Sequence, residues 1–216
     1  MEQYLKATYF YNYEHPLIQQ FIRDHRFEEI KGEVEKIKAV YDAVRDGWRY
    51  NAYKMHFSPE SCTASTIFQR PEGHCIDKAN LLITVLRAIG IPARLHLAKV
   101  RNHIAVELII RKFKTDVLTP HGYVELFVNG KWIAATPAFN KQLCKILNVD
   151  VLEFDGENDG IFQQYNRTGN RFMEYLDDYG TFDDFPLEFV KNNIIENYGQ
   201  LKEIVENEGT VDLQKE

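Results

Sequence analysis

Apolar residues recur at intervals of three and four along the first part of the chain. One such stretch runs from about residue 16 to 48, and a second runs from Cys75 to Ile89. Gly90 and Pro92 follow the second stretch and favour a helix end there. This spacing predicts two amphipathic helices in the first stretch and one central helix in the second.

The pattern changes after the central helix, where branched and aromatic residues become frequent. We predict strands over residues 93–100, 104–113, 123–128 and 131–135. The dipeptide Asn129-Gly130 between the last two is a strong hairpin signal, because both turn positions need positive φ. Helices followed by a run of strands predict an α+β fold, with the central helix packed on an antiparallel sheet.

Charge is distributed unevenly along the 216 residues. The net charge is −6, but residues 1–149 sum to +6 and residues 150–216 sum to −12. We expect this acidic, aromatic C-terminal extension to pack irregularly on the rest of a single domain (residues 1–216), with the end from Gly209 frayed. The acidic balance argues against nucleic acid as a partner, because binding to phosphates relies on clustered Lys and Arg.

The composition also bears on compartment and cofactors. No stretch approaches the roughly 18 apolar residues of a membrane span, and the N-terminal residues lack a signal-peptide pattern. We therefore expect a cytoplasmic protein that does not bind membranes. The three cysteines, an odd number without metal-ligand spacing, predict neither disulfides nor zinc. The segment 155–160 resembles the start of a calcium loop, but later positions do not fit, so we interpret it as a polar turn. No metal or organic cofactor is expected.

Cys75 is the candidate nucleophile. At the start of the central helix, free N–H groups and the helix dipole favour a thiolate. A nucleophilic cysteine needs a base, and His103 and His121 are the better candidates among seven histidines. The hairpin register places His121 and Thr136 diagonally on one sheet face, about 7–8 Å apart. Position 136 is therefore a candidate for orienting the imidazole.

Two strings carry a resemblance to a known family. GHCIDKANLLITVLRAIGIPARL (residues 73–95) and HGYVELFVNGKWIAATPAFN (residues 121–140) resemble the two signature blocks of the transglutaminase-like superfamily. The similarity covers roughly residues 60–140. It implies a papain-like core in which Cys75 is the nucleophile and His121 the base. The third catalytic position, an Asp in the family, falls on Thr136.

The threonine departs from the family pattern. Its hydroxyl can accept a hydrogen bond from the imidazole, but it carries no negative charge. Asn140, Asp116 or an acidic residue of the extension are alternatives for the missing Asp. Glu125 lies four residues along the strand from His121, about 13 Å away, so we expect it in a structural ion pair.

Other matching residues have simpler expected roles. The backbone N–H of Cys75 is available to an oxyanion, and Gln69 is either a second donor or an exposed loop residue. Asp77, Arg87 and Arg94 are expected to make structural hydrogen bonds.

The resemblance and the residues together lead to two hypotheses. The first is a transglutaminase-like cysteine enzyme that hydrolyses a peptide or other amide bond through a Cys75 acyl-enzyme, since water is always available as the acceptor. The alternative is a non-catalytic scaffold whose papain-like cleft binds a peptide or protein partner.

Overall fold

The computed structural model describes residues 1–103, 107–161 and 164–215. The helices of this part are α1 (Pro16–His25), α2 (Glu33–Gly47), α3 (Ala64–Phe68), α4 (Cys75–Ala88), α5 (Glu107–Phe113), α6 (Lys141–Leu147), α7 (Leu187–Asn197) and α8 (Lys202–Glu206). The strands are β1 (Arg49–Tyr50), β2 (Lys54–His56), β3 (Glu72–Gly73), β4 (Ala93–Asn102), β5 (Val117–Val128), β6 (Lys131–Ala135), β7 (Met173–Phe182) and β8 (Thr210–Asp212).

The helices agree with the periodicity of the first half of the chain. Helices α1 and α2 fill the first predicted stretch, and α4 is the predicted central helix. The longest helix among the described residues, α2, has 15 residues. No helix in the described ranges is both long and apolar enough to cross a membrane.

The main sheet has four antiparallel strands in the order β6-β5-β4-β7. The predicted hairpin joins β5 and β6, and its turn residues Asn129 and Gly130 have φ of 53° and 78°. Pairing between the two strands ends at Val124 and Ala135. Thr136 leaves this ladder, and its N–H donates to the carbonyl of Gly160 at 2.9 Å.

Helix α4 packs on one face of the main sheet, which the alternate apolar residues of the strands form. Gly122 lies where α4 contacts β5, and a Cβ at this position would be only 2.7 Å from the side chain of Ile76. Glycine therefore lets the first turn of α4 lie directly against β5. The predicted α+β fold, with a central helix on an antiparallel sheet, is confirmed.

The prediction of a strand over residues 104–113 is wrong for residues 107–113. Residues 104–106 lie outside the described residues, and Glu107–Phe113 forms α5. A short apolar run fits either a strand or a buried helix. In the helix, Ile109 and Phe113 are four residues apart and line the same cavity.

The C-terminal extension is more regular than predicted. It adds β7 to the edge of the main sheet, two helices, and β8, which pairs with β2. The prediction that the chain is frayed from Gly209 is wrong for β8 and Leu213. Val211 and Leu213 are buried in the core. Ion pairs such as Glu174 with Arg101 join the acidic extension to the basic part of the chain.

The segment 155–160 is a polar turn, as interpreted. The carboxylate of Asp155 accepts hydrogen bonds from the N–H groups of Glu157 and Asn158. Asp159 accepts one from the N–H of Ala134. In the part of the chain that the structure describes, no three His, Cys, Asp or Glu side chains converge as metal ligands.

Candidate active site

A capping box fixes Cys75 in the first turn of α4. The Nδ1 of His74 accepts a hydrogen bond from the N–H of Asp77 at 3.1 Å, and the Asp77 carboxylate accepts one from the N–H of His74 at 3.2 Å. Arg70 lies 3.7 Å from the same carboxylate. Asp77 therefore has the structural role expected for it, and the reciprocal bonds satisfy N–H groups on both sides of Cys75.

The thiol of Cys75 is buried, with 7% of the residue exposed. Burial raises the pKa of this thiol to about 11, although the main-chain N–H groups of Gly122 and Ile76 act in the opposite direction. The expectation that the helix start makes Cys75 more acidic is therefore wrong, because desolvation outweighs the N–H groups. At neutral pH the resting group is a thiol.

His121 lies on β5, and only 2% of it is exposed. Burial, with a smaller contribution from nearby His74, lowers the pKa of this imidazole to about 4. Both ring nitrogens are buried without a hydrogen-bond partner, and so is the hydroxyl oxygen of Thr136. The resting imidazole is therefore neutral and bonded neither to Cys75 nor to Thr136.

Two cavities meet at His121. One, of about 70 Å³, is lined by both Cys75 and His121. The other, of about 10 Å³, is lined by His121 and Thr136, and its remaining described lining is apolar. The structure thus brings the three residues predicted from the sequence together around one imidazole, without forming the hydrogen bonds of a triad.

The alternatives to these residues are engaged elsewhere. The Asn140 side chain accepts a hydrogen bond from the N–H of Tyr50 at 3.3 Å. Asp116 pairs with Arg101 at 3.2 Å. His103 lies 3.4 Å from Glu174 and is not among the residues that line the cavity beside Cys75. Of the two candidate bases, His121 is the one that shares a cavity with Cys75.

Glu125 forms the expected structural pair. Its carboxylate lies 2.6 Å from Arg94 and 2.7 Å from His96. Arg87 is structural as well, since its guanidinium donates to three backbone carbonyls, among them that of Ala93.

Gln69 does not serve as the second oxyanion donor in this structure. Its amide donates to the carbonyl of Ser65 at 3.1 Å, and it does not line the cavity beside Cys75. The N–H of Gly122 acts on the sulfur instead. Sequence reasoning missed it, although a glycine directly after the candidate base is a signal for close backbone approach.

Lys78 was also missed. It is fully buried, and its Nζ donates to the carbonyls of Arg45, Trp48 and Ala138 at 2.7–2.8 Å. Burial lowers the pKa of Lys78 to about 7, but three acceptors match the three donors of an ammonium group. Lys78 ties α4 to the end of α2 and to the segment that follows Thr136.

A cysteine in the first turn of a helix, sharing a cavity with a buried histidine on the adjacent strand, defines a cysteine-enzyme-like scaffold. The family follows from comparison with known proteins. The profile described as the Transglutaminase-like superfamily matches residues 24–137, more than half of the chain. The chain therefore belongs to the transglutaminase-like superfamily.

Among solved structures, this structure is similar to the crystal structure of a proposed cysteine protease from Cytophaga hutchinsonii, with 16% sequence identity and a TM-score of 0.47. The similarity covers 80% of this chain and 62% of that one, so this chain spans less than two thirds of that protein's length. No curated protein matched the chain.

Proposed function

We propose that the protein hydrolyses an amide bond through a covalent intermediate on Cys75. The observation that carries this proposal is the cavity that Cys75 shares with His121, whose ring nitrogens have no hydrogen-bond partner. Buried polar groups are usually paired, so a histidine left unpaired beside a cysteine is well suited to exchange a proton with it.

The first step follows from the protonation states. Because the pKa of His121 is lowered to about 4, its ring is neutral at pH 7 and can accept the thiol proton. As that proton leaves, the sulfur of Cys75 bonds to the carbonyl carbon, and the carbonyl π electrons move onto oxygen. The N–H groups of Cys75 and Gly122 are the candidate donors to this oxyanion.

The remaining steps return the site to its starting state. The oxyanion collapses and breaks the carbon–nitrogen bond, while the imidazolium gives its proton to the leaving amine. His121 then takes a proton from water, whose oxygen attacks the thioester. This second oxyanion collapses and breaks the carbon–sulfur bond, the imidazolium returns its proton to the sulfur, and the acid is released. Thr136 would orient the ring through its hydroxyl once a ligand moves the ring into hydrogen-bond range.

The pH dependence of alkylation by iodoacetamide, followed by mass spectrometry, tests whether Cys75 is activated. We expect Cys75 to react at pH 7 about tenfold faster than buried Cys62 and Cys144, and the His121→Ala variant to lose that advantage. His96→Ala, which changes a histidine on a neighbouring strand, is the matched control and is expected to keep it. A Cys75 no more reactive than the other two cysteines in the folded protein would contradict the proposal.

A second candidate function is a non-catalytic scaffold that binds a peptide or protein partner. Two observations favour it: burial raises the pKa of Cys75 to about 11, and Thr136 stands where the family has an Asp. This function predicts that binding of the partner survives in the Cys75→Ala and His121→Ala variants, whereas hydrolysis requires both residues.

A further inference from the structure

We propose that the cleft beside Cys75 binds an uncharged, apolar group on the carbonyl side of the amide substrate. This inference rests on the proposed function and adds a substrate class to it. The cleft has a volume of about 400 Å³, which lies within the range of small-ligand sites and suffices for one or two amino-acid side chains.

The cleft adjoins the cavity of Cys75. Tyr50, Ala52, Ile109 and Leu118 line both spaces. A group in the cleft would therefore lie one layer of side chains from the space that holds the thiol. Such proximity is what a substrate needs if its side chain is bound while its carbonyl is attacked.

The walls of the cleft are about half apolar, and the apolar side chains come from several parts of the fold. Tyr50 and the residues that follow β1 form one side. Helix α6 forms another with Leu143 and Leu147, and α5 contributes Ile109. Phe139 packs edge-on against Tyr50, with ring centroids 4.8 Å apart. These surfaces would gain from burying an aromatic or branched aliphatic group.

The charges of the cleft cancel. Among its described lining residues, the charged ones are Arg49 and Glu72, which lie 3.4 Å from each other. Asn51 donates to the side-chain oxygen of Gln214 at 3.3 Å. A charged substrate group would lose water on entry and gain no free counter-charge from these residues. The cleft therefore favours a neutral group over either sign of charge.

The cavity beside Cys75 offers the substrate a polar contact at Asn80. Asn80 lines it, is 1% exposed, and has a side-chain oxygen without a hydrogen-bond partner. The neighbouring walls include Phe57, Phe185 and Ile194. An N–H group of a bound peptide would supply the donor that this oxygen lacks. A peptide with an apolar residue at the cleaved bond matches both spaces.

Chloromethyl ketones test this inference without knowledge of the natural substrate. N-acetylated leucine, phenylalanine, aspartate and lysine derivatives place different side chains next to the same reactive carbon. Rates of Cys75 alkylation would be measured by mass spectrometry and divided by the iodoacetamide rate. We expect the leucine and phenylalanine probes to react at least about tenfold faster than both charged probes.

Adding a positive charge to the cleft gives a second measurement. Leu143→Lys is expected to slow the leucine probe and to speed up the aspartate probe several-fold, and Leu147→Lys offers the same test at another wall position. Ile146→Lys is the matched control, because Ile146 lies on the same helix, is 71% exposed and does not line the cleft.

The outcomes separate this inference from the proposed function. If iodoacetamide labels Cys75 selectively but the four probes react at equal normalised rates, the apolar cleft is not the substrate site and the inference is overturned. Faster reaction of a charged probe overturns it as well. If neither iodoacetamide nor any probe labels Cys75 selectively, the proposed function itself fails.

Discussion

Two buried histidines lie on the same face of the main sheet, on adjacent strands, and have opposite surroundings. His96 is 8% exposed and lies 2.7 Å from both Glu125 and Asp178. Although burial opposes the charge, these two carboxylates raise the pKa of His96. His121 is 2% exposed, its ring nitrogens have no hydrogen-bond partner, and its pKa is lowered to about 4, mainly by burial.

The comparison separates a structural histidine from a candidate catalytic one. In the same sheet and at similar burial, the fold supplies two carboxylates to one ring and none to the other. Leaving both nitrogens of a buried imidazole unpaired costs stability. The ring of His121 is thus unpaired and neutral at pH 7, whereas His96 holds β4, β5 and β7 together.

The largest expected effect is the acid sensitivity that His121 confers. Its pKa is near 6.5 when unfolded and about 4 in the folded protein, so the unfolded state binds more protons between these pH values. Stability contributed by the neutral ring is complete above pH 6.5 and is lost as the pH falls towards 4. We expect a loss on the order of 3 kcal/mol in the free energy of unfolding, measured by urea denaturation at several pH values.

The His121→Leu variant is the control for this effect. Its free energy of unfolding should lack the part of the pH dependence that His121 causes. The part due to other groups should remain, for example that of His56, whose pKa burial also lowers to about 4. An unchanged slope in His121→Leu would show that the folded protein already accommodates a charged ring at position 121.

A Thr136→Asp substitution would make the surroundings of His121 resemble those of His96. A carboxylate beside the ring should raise the pKa of His121 by at least one unit, and the paired imidazolium should stabilise a thiolate at Cys75. We expect alkylation of Cys75 at pH 7 to become about tenfold faster. NMR titration of the imidazole and mass spectrometry of the alkylated protein would measure the two changes.

Thr136→Asn is the matched control, because it changes size in the same way without adding charge. If the imidazole of His121 titrates identically in the aspartate and asparagine variants, the side chain at position 136 does not contact the ring. In that case residue 136 does not orient His121.

The smallest expected effect belongs to His96. His96→Gln should lower the free energy of unfolding by about 1–2 kcal/mol at pH 6, since two charge-assisted bonds are lost and Asp178 is largely solvated. The contribution of His96 is complete below pH 6.5 and is lost as the pH rises through its raised folded pKa. The difference between wild type and variant should therefore shrink in alkaline buffer, and a difference that grows would contradict the assigned ion pairs.

Much of the fold, and the relation of His121 to position 136, could be predicted from local patterns. The period of three and four residues gave α4, and Asn129-Gly130 gave the hairpin register that relates His121 to Thr136. Both signals act over a few residues. The prediction that Cys75 and His121 share one site came from the family resemblance. A known family fold relates residues that are far apart in the sequence, whereas periodicity relates only near neighbours.

The electrostatics of the site could not be predicted in the same way. A helix start favours a thiolate, but the pKa of Cys75 depends on which distant segments exclude water from it, and these include α5 and α7. The helix α5 was itself missed, because ELIIRKF suits a strand as well as a helix. Lys78 gave no signal, since its three acceptors come from segments far apart in the sequence.

The walls of the cavity beside Cys75 come partly from the end of the described chain. Val190 and Ile194 of α7 and Leu213 after β8 line it. During synthesis, Cys75 and His121 leave the ribosome long before these residues do. In the nascent protein the thiol of Cys75 is therefore exposed first, and its hydrophobic enclosure is completed only after α7 and β8 have emerged.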